Sequence, residues 1–98
     1  MPKEKVTCRT PNPGKKSTNI DRWKFDAVHS AILQAVPSEE PGMYFRDLAK
    51  EVAKRLTAHE KKRLGSLSWF TTTVKLEMEV RGELRRLSRS PQRLIRAI

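Results

Sequence analysis

The side chains that could carry catalysis are few, and their spacing does not complete a catalytic motif. His59 and Glu60 begin like the zinc-binding pattern His-Glu-x-x-His, but Arg63 stands where the second histidine is needed. Glu77 and Glu79 are two positions apart, about 200° around a helix, so they cannot act together as an acid–base pair. These spacings predict a protein that is not an enzyme and that holds neither a metal ion nor another cofactor.

Positive charge gathers at the two ends of the chain. The formal net charge is +10. Residues 1–24 contain seven cations and two acids, residues 25–80 contain eight of each, and residues 81–98 contain six arginines and one glutamate. Such an excess attracts polyanions, either nucleic acid or anionic lipid, although solubility alone is a simpler explanation.

The first twenty residues are rich in proline and lysine and poor in large apolar side chains. We expect residues 1–20 to form a flexible basic arm and residues 21–98 to form one folded domain. Cys8 is the single cysteine and cannot form an intramolecular disulfide. Because no signal peptide and no membrane-spanning run is recognisable either, we expect a cytoplasmic protein.

Apolar periodicity predicts three helices, of which the first spans residues 22–36, with Asp21 as its N-cap and Pro37 after its end. Its apolar stripe comprises Phe25, Val28, Ile32 and Ala35. The second helix begins near residue 45 and buries a row made of Leu48, Val52 and Leu56. Over residues 57–65 this helix either continues or frays, and Gly65 marks the break.

The third helix is predicted over residues 69–81, with Ser66 or Ser68 as its cap and Gly82 at its C-terminal end. Spacings of four, three and four residues predict a buried face that contains Trp69, Thr73, Leu76 and Val80. The face left outside then contains Thr71, Thr72, Lys75 and Glu79.

The arginine-rich C-terminus interleaves leucine and isoleucine with its charges, which is not typical of a disordered tail. Residues 83–87 and 92–98 are predicted strands, joined by a Ser-Arg-Ser-Pro turn. A short strand at residues 43–45 would complete the sheet. The order of elements therefore predicts an α+β fold of the winged helix-turn-helix type, with three helices and a small antiparallel sheet whose C-terminal β-hairpin is the wing.

The segment Trp-Phe-Thr-Thr-Thr-Val-Lys-Leu-Glu-Met-Glu-Val-Arg-Gly at residues 69–82 resembles a family of small bacterial proteins of unknown function. Residues 11–14 and 21–28 add to the resemblance, which spans about residues 11–98. The resemblance implies a winged-helix-like fold and carries no established activity. The chain departs from the family pattern at Thr72, where lysine is usual, and at Tyr44, where a helix-capping threonine or serine is usual.

A winged helix with this charge pattern is expected to bind double-stranded DNA through its arm and wing, with limited sequence specificity. The candidate contact residues are Lys15, Lys16, Arg22, Thr71, Thr72, Lys75, Arg85, Arg89 and Arg93. The alternative is a module that binds an acidic protein partner. In either case we expect a monomer that acts away from membranes and takes no small-molecule substrate.

Overall fold

Helices and two small antiparallel sheets make up the fold, which confirms the predicted α+β class. The computed structural model describes residues 4–12, 14–88 and 90–98. The strands are β1 (Lys5–Cys8), β2 (Thr18–Asp21), β3 (Met43–Tyr44), β4 (Leu84–Arg86) and β5 (Arg93–Arg96). The helices are α1 (Arg22–Ala35), α2 (Leu48–Ala53), α3 (Ala58–Leu64) and α4 (Leu67–Arg81), and a 3-10 turn (Phe45–Asp47) precedes α2.

The C-terminal hairpin forms as the sequence predicts, with β4 antiparallel to β5. Strand β3 pairs with the other edge of β5, so the strand order is β3-β5-β4. We refer to this three-stranded sheet as the wing sheet. Arg89, in the predicted turn of the hairpin, lies outside the described residues. The arrangement of helices and wing sheet is compatible with a winged helix.

The structure has one helix more than the sequence predicts within the described residues, because α3 is separate from α2. Thr57 caps α3: its hydroxyl accepts a hydrogen bond from the Glu60 amide at 3.0 Å, and the Glu60 carboxylate accepts one from the Thr57 amide at 2.8 Å. This reciprocal capping box satisfies two amides at the start of the helix. The expectation of a continuing or fraying second helix is therefore wrong.

The N-terminal residues also differ from expectation, because they form a hairpin instead of an arm. Strands β1 and β2 pair in register, with Val6 opposite Ile20. Val6, Ile20 and Cys8 are buried in the hydrophobic core together with residues of α1 and α4. The apolar residues of this segment are few, but they alternate along the strands and therefore give the hairpin a buried face.

Burial of Cys8 gives a chemical test of the N-terminal hairpin. Removal from water, and after it the nearby Glu77 carboxylate, raise the pKa of the Cys8 thiol to about 11, while Arg81 opposes the shift. Because the thiolate is the reactive species, a shift of this size lowers its population about 100-fold. We expect alkylation by iodoacetamide at pH 8 to be at least ~100-fold slower in the folded protein than in denaturant. Similar rates in the two conditions would indicate a flexible arm.

The predicted buried face of the long C-terminal helix is wrong. The residues of α4 that are buried are Thr71, Val74, Lys75, Glu77 and Met78. Trp69, expected inside, is 46% exposed. Helices α1 and α2 and both hairpins contact α4, so its core-facing side extends over more than the single stripe of apolar residues.

Within the described ranges, each helix is too short or too polar to cross a membrane.

Candidate nucleic-acid interface

Two of the three residues that were expected to contact DNA bases from the long helix lie inside the protein. Thr71 is 1% exposed and Lys75 is 2% exposed, so neither reaches solvent in this fold. Only Thr72, of the three candidates on α4, is partly exposed. The expectation that Thr71 and Lys75 lie on the outer face of the helix is therefore wrong, and this fold gives no support to their contact with DNA.

A charge network explains how a lysine is accommodated inside. The Lys75 ammonium lies 2.6 Å from the Glu79 carboxylate and 4.6 Å from the centre of the Phe45 ring. Arg86, on β4, donates to the same carboxylate at 3.1 Å. Burial lowers the pKa of Lys75 below its usual value, while the hydrogen bond from Lys75 to Glu79 opposes that shift.

Arginines gather on the outer face of the wing sheet. Arg85 pairs with Ile95 across the strands and Tyr44 pairs with Arg93. Paired residues point to the same face of a sheet and successive residues alternate, so Arg85, Arg93 and Tyr44 share one face with Ile95, which is itself buried. Leu94, between Arg93 and Ile95, points to the opposite face, where it is fully buried.

Tyr44 organises two of the cations on this surface. The guanidinium of Arg46 lies 4.4 Å from the centre of the Tyr44 ring and that of Arg93 lies 5.4 Å from it. Both distances suit cation–π contact, which orders a guanidinium without neutralising it. Tyr44 lies at the N-cap position of the 3-10 turn, but its side chain makes no capping hydrogen bond. Its ring instead contacts arginines, at a position where a threonine or serine side chain would cap the turn.

A cavity of about 690 Å³ opens beside these residues. Its lining consists of Glu40, Pro41, Arg85, Arg86, Leu87, Ser88 and Arg93. Three guanidinium groups thus line it against one carboxylate. The Nε atom of Arg93 is buried without a hydrogen-bond partner, and a buried donor of this kind is ordinarily satisfied by an acceptor. An anionic group in the cavity would supply that acceptor.

Acidic residues do not neutralise the outer wing cations. Across residues 4–12, 14–88 and 90–98, no carboxylate lies within 4.0 Å of the side-chain nitrogens of Arg46, Arg85 or Arg93. We call Tyr44, Arg46, Arg85 and Arg93 the wing patch. Sequence reasoning found Arg85 and Arg93 but missed Tyr44 and Arg46, because the pairing of β3 with β5 brings residues about fifty positions apart together.

The basic residues of the N-terminal hairpin lie apart from the wing patch. Lys15 and Lys16 are exposed in its loop, and Arg22 lies 3.5 Å from Glu4 and 3.7 Å from Asp26. Arg22 therefore already has acidic neighbours.

Helix α4 separates the two hairpins. Glu77 receives hydrogen bonds from Arg9, which directly follows β1, and Glu79 receives them from Arg86 of the wing sheet. Residues two apart diverge by about 200° around a helix, so the hairpins flank α4 on opposite sides. The eight sequence-predicted residues that the structure describes therefore do not form one continuous surface.

Comparison with known proteins identifies the family but no characterised relative. No curated protein and no solved structure matches the chain significantly. The model of a family of unknown function, DUF6958, matches residues 5–94, which include the N-terminal hairpin, the four helices and the wing sheet as far as Leu94. The match confirms the expected membership of a family of unknown function, and the chain belongs to the DUF6958 family.

Proposed function

We propose that this protein is a winged-helix protein that binds double-stranded DNA through the phosphate backbone, with the wing patch as its principal contact. In this proposal it is a cytoplasmic monomer that performs no catalysis. The observation that carries the proposal is the outer face of the wing sheet, which Tyr44, Arg85 and Arg93 share. Arg46 and Arg93 lie against the Tyr44 ring, and within the described part of the chain none of the three arginines has an acidic partner. Arginine forks of this kind bind phosphate oxygens in pairs.

Burial of Thr71 and Lys75 supports weak sequence discrimination. Bases are distinguished by side chains that reach their edges in the grooves, whereas phosphate contacts are independent of sequence. A protein that keeps its wing cations and withdraws its helix residues is expected to bind many duplexes with similar affinity. Lys15 and Lys16, on the other side of α4, would add general attraction.

The salt dependence of binding tests the proposal. Binding to a random-sequence duplex is followed by fluorescence anisotropy at several salt concentrations. Three wing contacts predict that the logarithm of the association constant falls against the logarithm of salt concentration with a slope of about −3. Replacing both Arg85 and Arg93 with alanine removes two contacts and is expected to flatten the slope by roughly two units. Affinity at low salt is expected to fall by at least about tenfold.

The matched control removes two positive charges elsewhere. Lys61 and Lys62 are exposed on α3, and their replacement with alanine changes the net charge by the same amount as the arginine pair. We expect this variant to bind almost as tightly as the wild-type protein. Absence of wild-type binding at about 50 mM salt would rule out the proposal, since electrostatic attraction is strong there. Equal losses in the two variants would also rule out the wing patch as the contact.

A further inference from the structure

The side of α4 that faces away from the core carries apolar side chains. Trp69 is 46% exposed, and Thr73, Leu76 and Val80 are partly exposed. These residues lie on one line along α4, on the side opposite the buried Met78. We call them the α4 seam. The rest of α4 packs against α1, α2 and the two hairpins.

The spacing along the α4 seam is that of a helix-pairing surface. Steps of four, three and four residues repeat every seven residues, as apolar positions do in a coiled coil. A stripe in this register fits the apolar residues of one further helix. The seam extends over twelve residues, about 17 Å along the helix axis from the first to the last, which matches a partner helix of about three turns.

Positive charge borders the α4 seam on both sides. On one border Glu77 is paired with Arg9 at 2.8 Å and with Arg81 at 2.7 Å. Two cations around one carboxylate leave an excess of one positive charge. The Arg9 side chain is 56% exposed, so this charge is presented to solvent.

The other border repeats the arrangement with different residues. Glu79 is paired with Lys75 at 2.6 Å and with Arg86 at 3.1 Å, and the Arg86 side chain is 40% exposed. The borders correspond to the positions beside a coiled-coil seam, where opposite charges on the partner helix choose the partner. An acidic helix fits both borders, whereas a basic helix is repelled by both.

We propose that the α4 seam is a docking site for one amphipathic helix of a partner protein. That partner helix carries one stripe of apolar residues, with acidic residues on both sides of the stripe. A second copy of this chain does not fit, because each copy carries a net charge of +10 and would bring the same arginine borders together. The site uses none of the wing patch, so it is independent of DNA binding.

A synthetic helix tests this proposal directly. The probe is a dye-labelled peptide of three heptads with leucine at the seam positions and glutamate at the flanking positions, which also repel each other and keep it monomeric. We expect the protein to bind this peptide, with an affinity in the range of about 1–100 μM for a contact of this small size. The same peptide with lysine in place of glutamate is expected to show no binding, because both borders repel it.

Variants of the seam locate the site. Leu76→Ala combined with Val80→Ala is expected to weaken peptide binding at least tenfold. Thr73→Glu is a second variant, at a polar position of the seam, so it removes no apolar side chain from the fold. It places a carboxylate in the seam and is expected to abolish binding. Arg85→Ala with Arg93→Ala is the control and is expected to leave peptide affinity unchanged, even where it abolishes DNA binding.

Three results would overturn the proposal. One is the absence of binding to the glutamate peptide at about 1 mM, well above the expected range. Another is equal binding by the wild-type protein and by the folded Thr73→Glu variant. The third is self-association of the protein in sedimentation measurements that Thr73→Glu abolishes, which would identify a second copy as the occupant.

Discussion

Replacing Glu77 with glutamine is expected to lower the free energy of unfolding by about 2–4 kcal/mol at neutral pH. The Glu77 side chain is 1% exposed and accepts hydrogen bonds from the Arg9 amide, the Arg9 guanidinium and Arg81. Glutamine retains the shape of the side chain but removes the charge that holds these three donors. The N-terminal hairpin is then joined to α4 by weaker contacts.

The effect of the substitution is expected to depend on pH. Burial alone would raise the pKa of Glu77, but the hydrogen bonds from Arg9 and Arg81 outweigh burial and lower the pKa to about 2. A carboxyl group whose pKa is lower in the folded state than in the unfolded state stabilises the fold above the unfolded value, near 4.5. This stabilisation is lost as the pH falls from there toward about 2. The difference between the wild type and the variant should therefore be largest near pH 7 and small near pH 2.

Chemical denaturation of both proteins at several pH values measures this difference. Glu39→Gln is the control, because it removes one negative charge from an exposed loop and is expected to change stability little. A Glu77→Gln protein as stable as the wild type at pH 7 would contradict the role given to the carboxylate. So would a deficit that remains the same from pH 7 to pH 3.

Helix ends and the wing sheet could be predicted because their signals are local. Pro37 follows the C-terminal end of α1. Gly82 follows α4 and has a positive φ of 79°, which favours glycine. The terminal strands were recognisable because leucine and isoleucine alternate with arginine. The capping box of Thr57 and Glu60 is equally local. Its four-residue pattern could therefore have predicted a separate α3, which the expectation of a continuing or fraying second helix missed.

The orientation of α4 could not be predicted from periodicity, because two of its faces are apolar. The line through Phe70, Val74 and Met78 competes with the line through Trp69 and Leu76. Hydrophobicity favours neither strongly, and charged residues were assumed to lie outside. Glu77 lies inside because Arg9, from a distant segment, neutralises it together with Arg81 of the same helix. Lys75 lies inside between Glu79, one turn further along the helix, and the Phe45 ring. A sequence without its contacts reveals neither Arg9 nor Phe45 as the neighbour.

The wing patch and the N-terminal hairpin share this difficulty. Tyr44 and Arg93 come together only when β3 pairs with β5. Cys8 is buried only because β1 packs on the helices. Composition therefore predicted a flexible arm, and apolar periodicity predicted a DNA surface on α4, whereas tertiary contacts bury parts of both.

The second large effect is expected at the ion pair between Lys75 and Glu79. Replacing Glu79 with leucine leaves the Lys75 ammonium buried without its carboxylate, and loss of one partner of a buried pair costs about 3–5 kcal/mol. Replacing Lys75 with methionine is expected to cost less. Glu79 then retains Arg86, and the methionine side chain fills much of the space of the lysine stem against Phe45.

Changing both residues should restore much of the stability. The double variant, with methionine at 75 and leucine at 79, contains no unpaired buried charge, and apolar replacements of buried ion pairs are often close to neutral. We expect it to lie within about 1.5 kcal/mol of the wild type, so that the two substitutions are strongly non-additive. Denaturant titration of the wild type, both single variants and the double variant measures the coupling. Additive losses would indicate that Lys75 is stabilised by packing and not by its charge.

The pH dependence separates charge from packing in the Glu79→Leu protein. The pKa of Lys75 lies below its usual value even with Glu79 present, because burial disfavours the ammonium. Without Glu79 the pKa should fall further, and the unfolded chain then binds more protons than the folded one at moderately alkaline pH. Stability must therefore rise with pH in that range. The deficit of Glu79→Leu should shrink as the pH approaches 10.5, the usual pKa of a lysine, whereas a deficit caused by a packing defect would not change with pH.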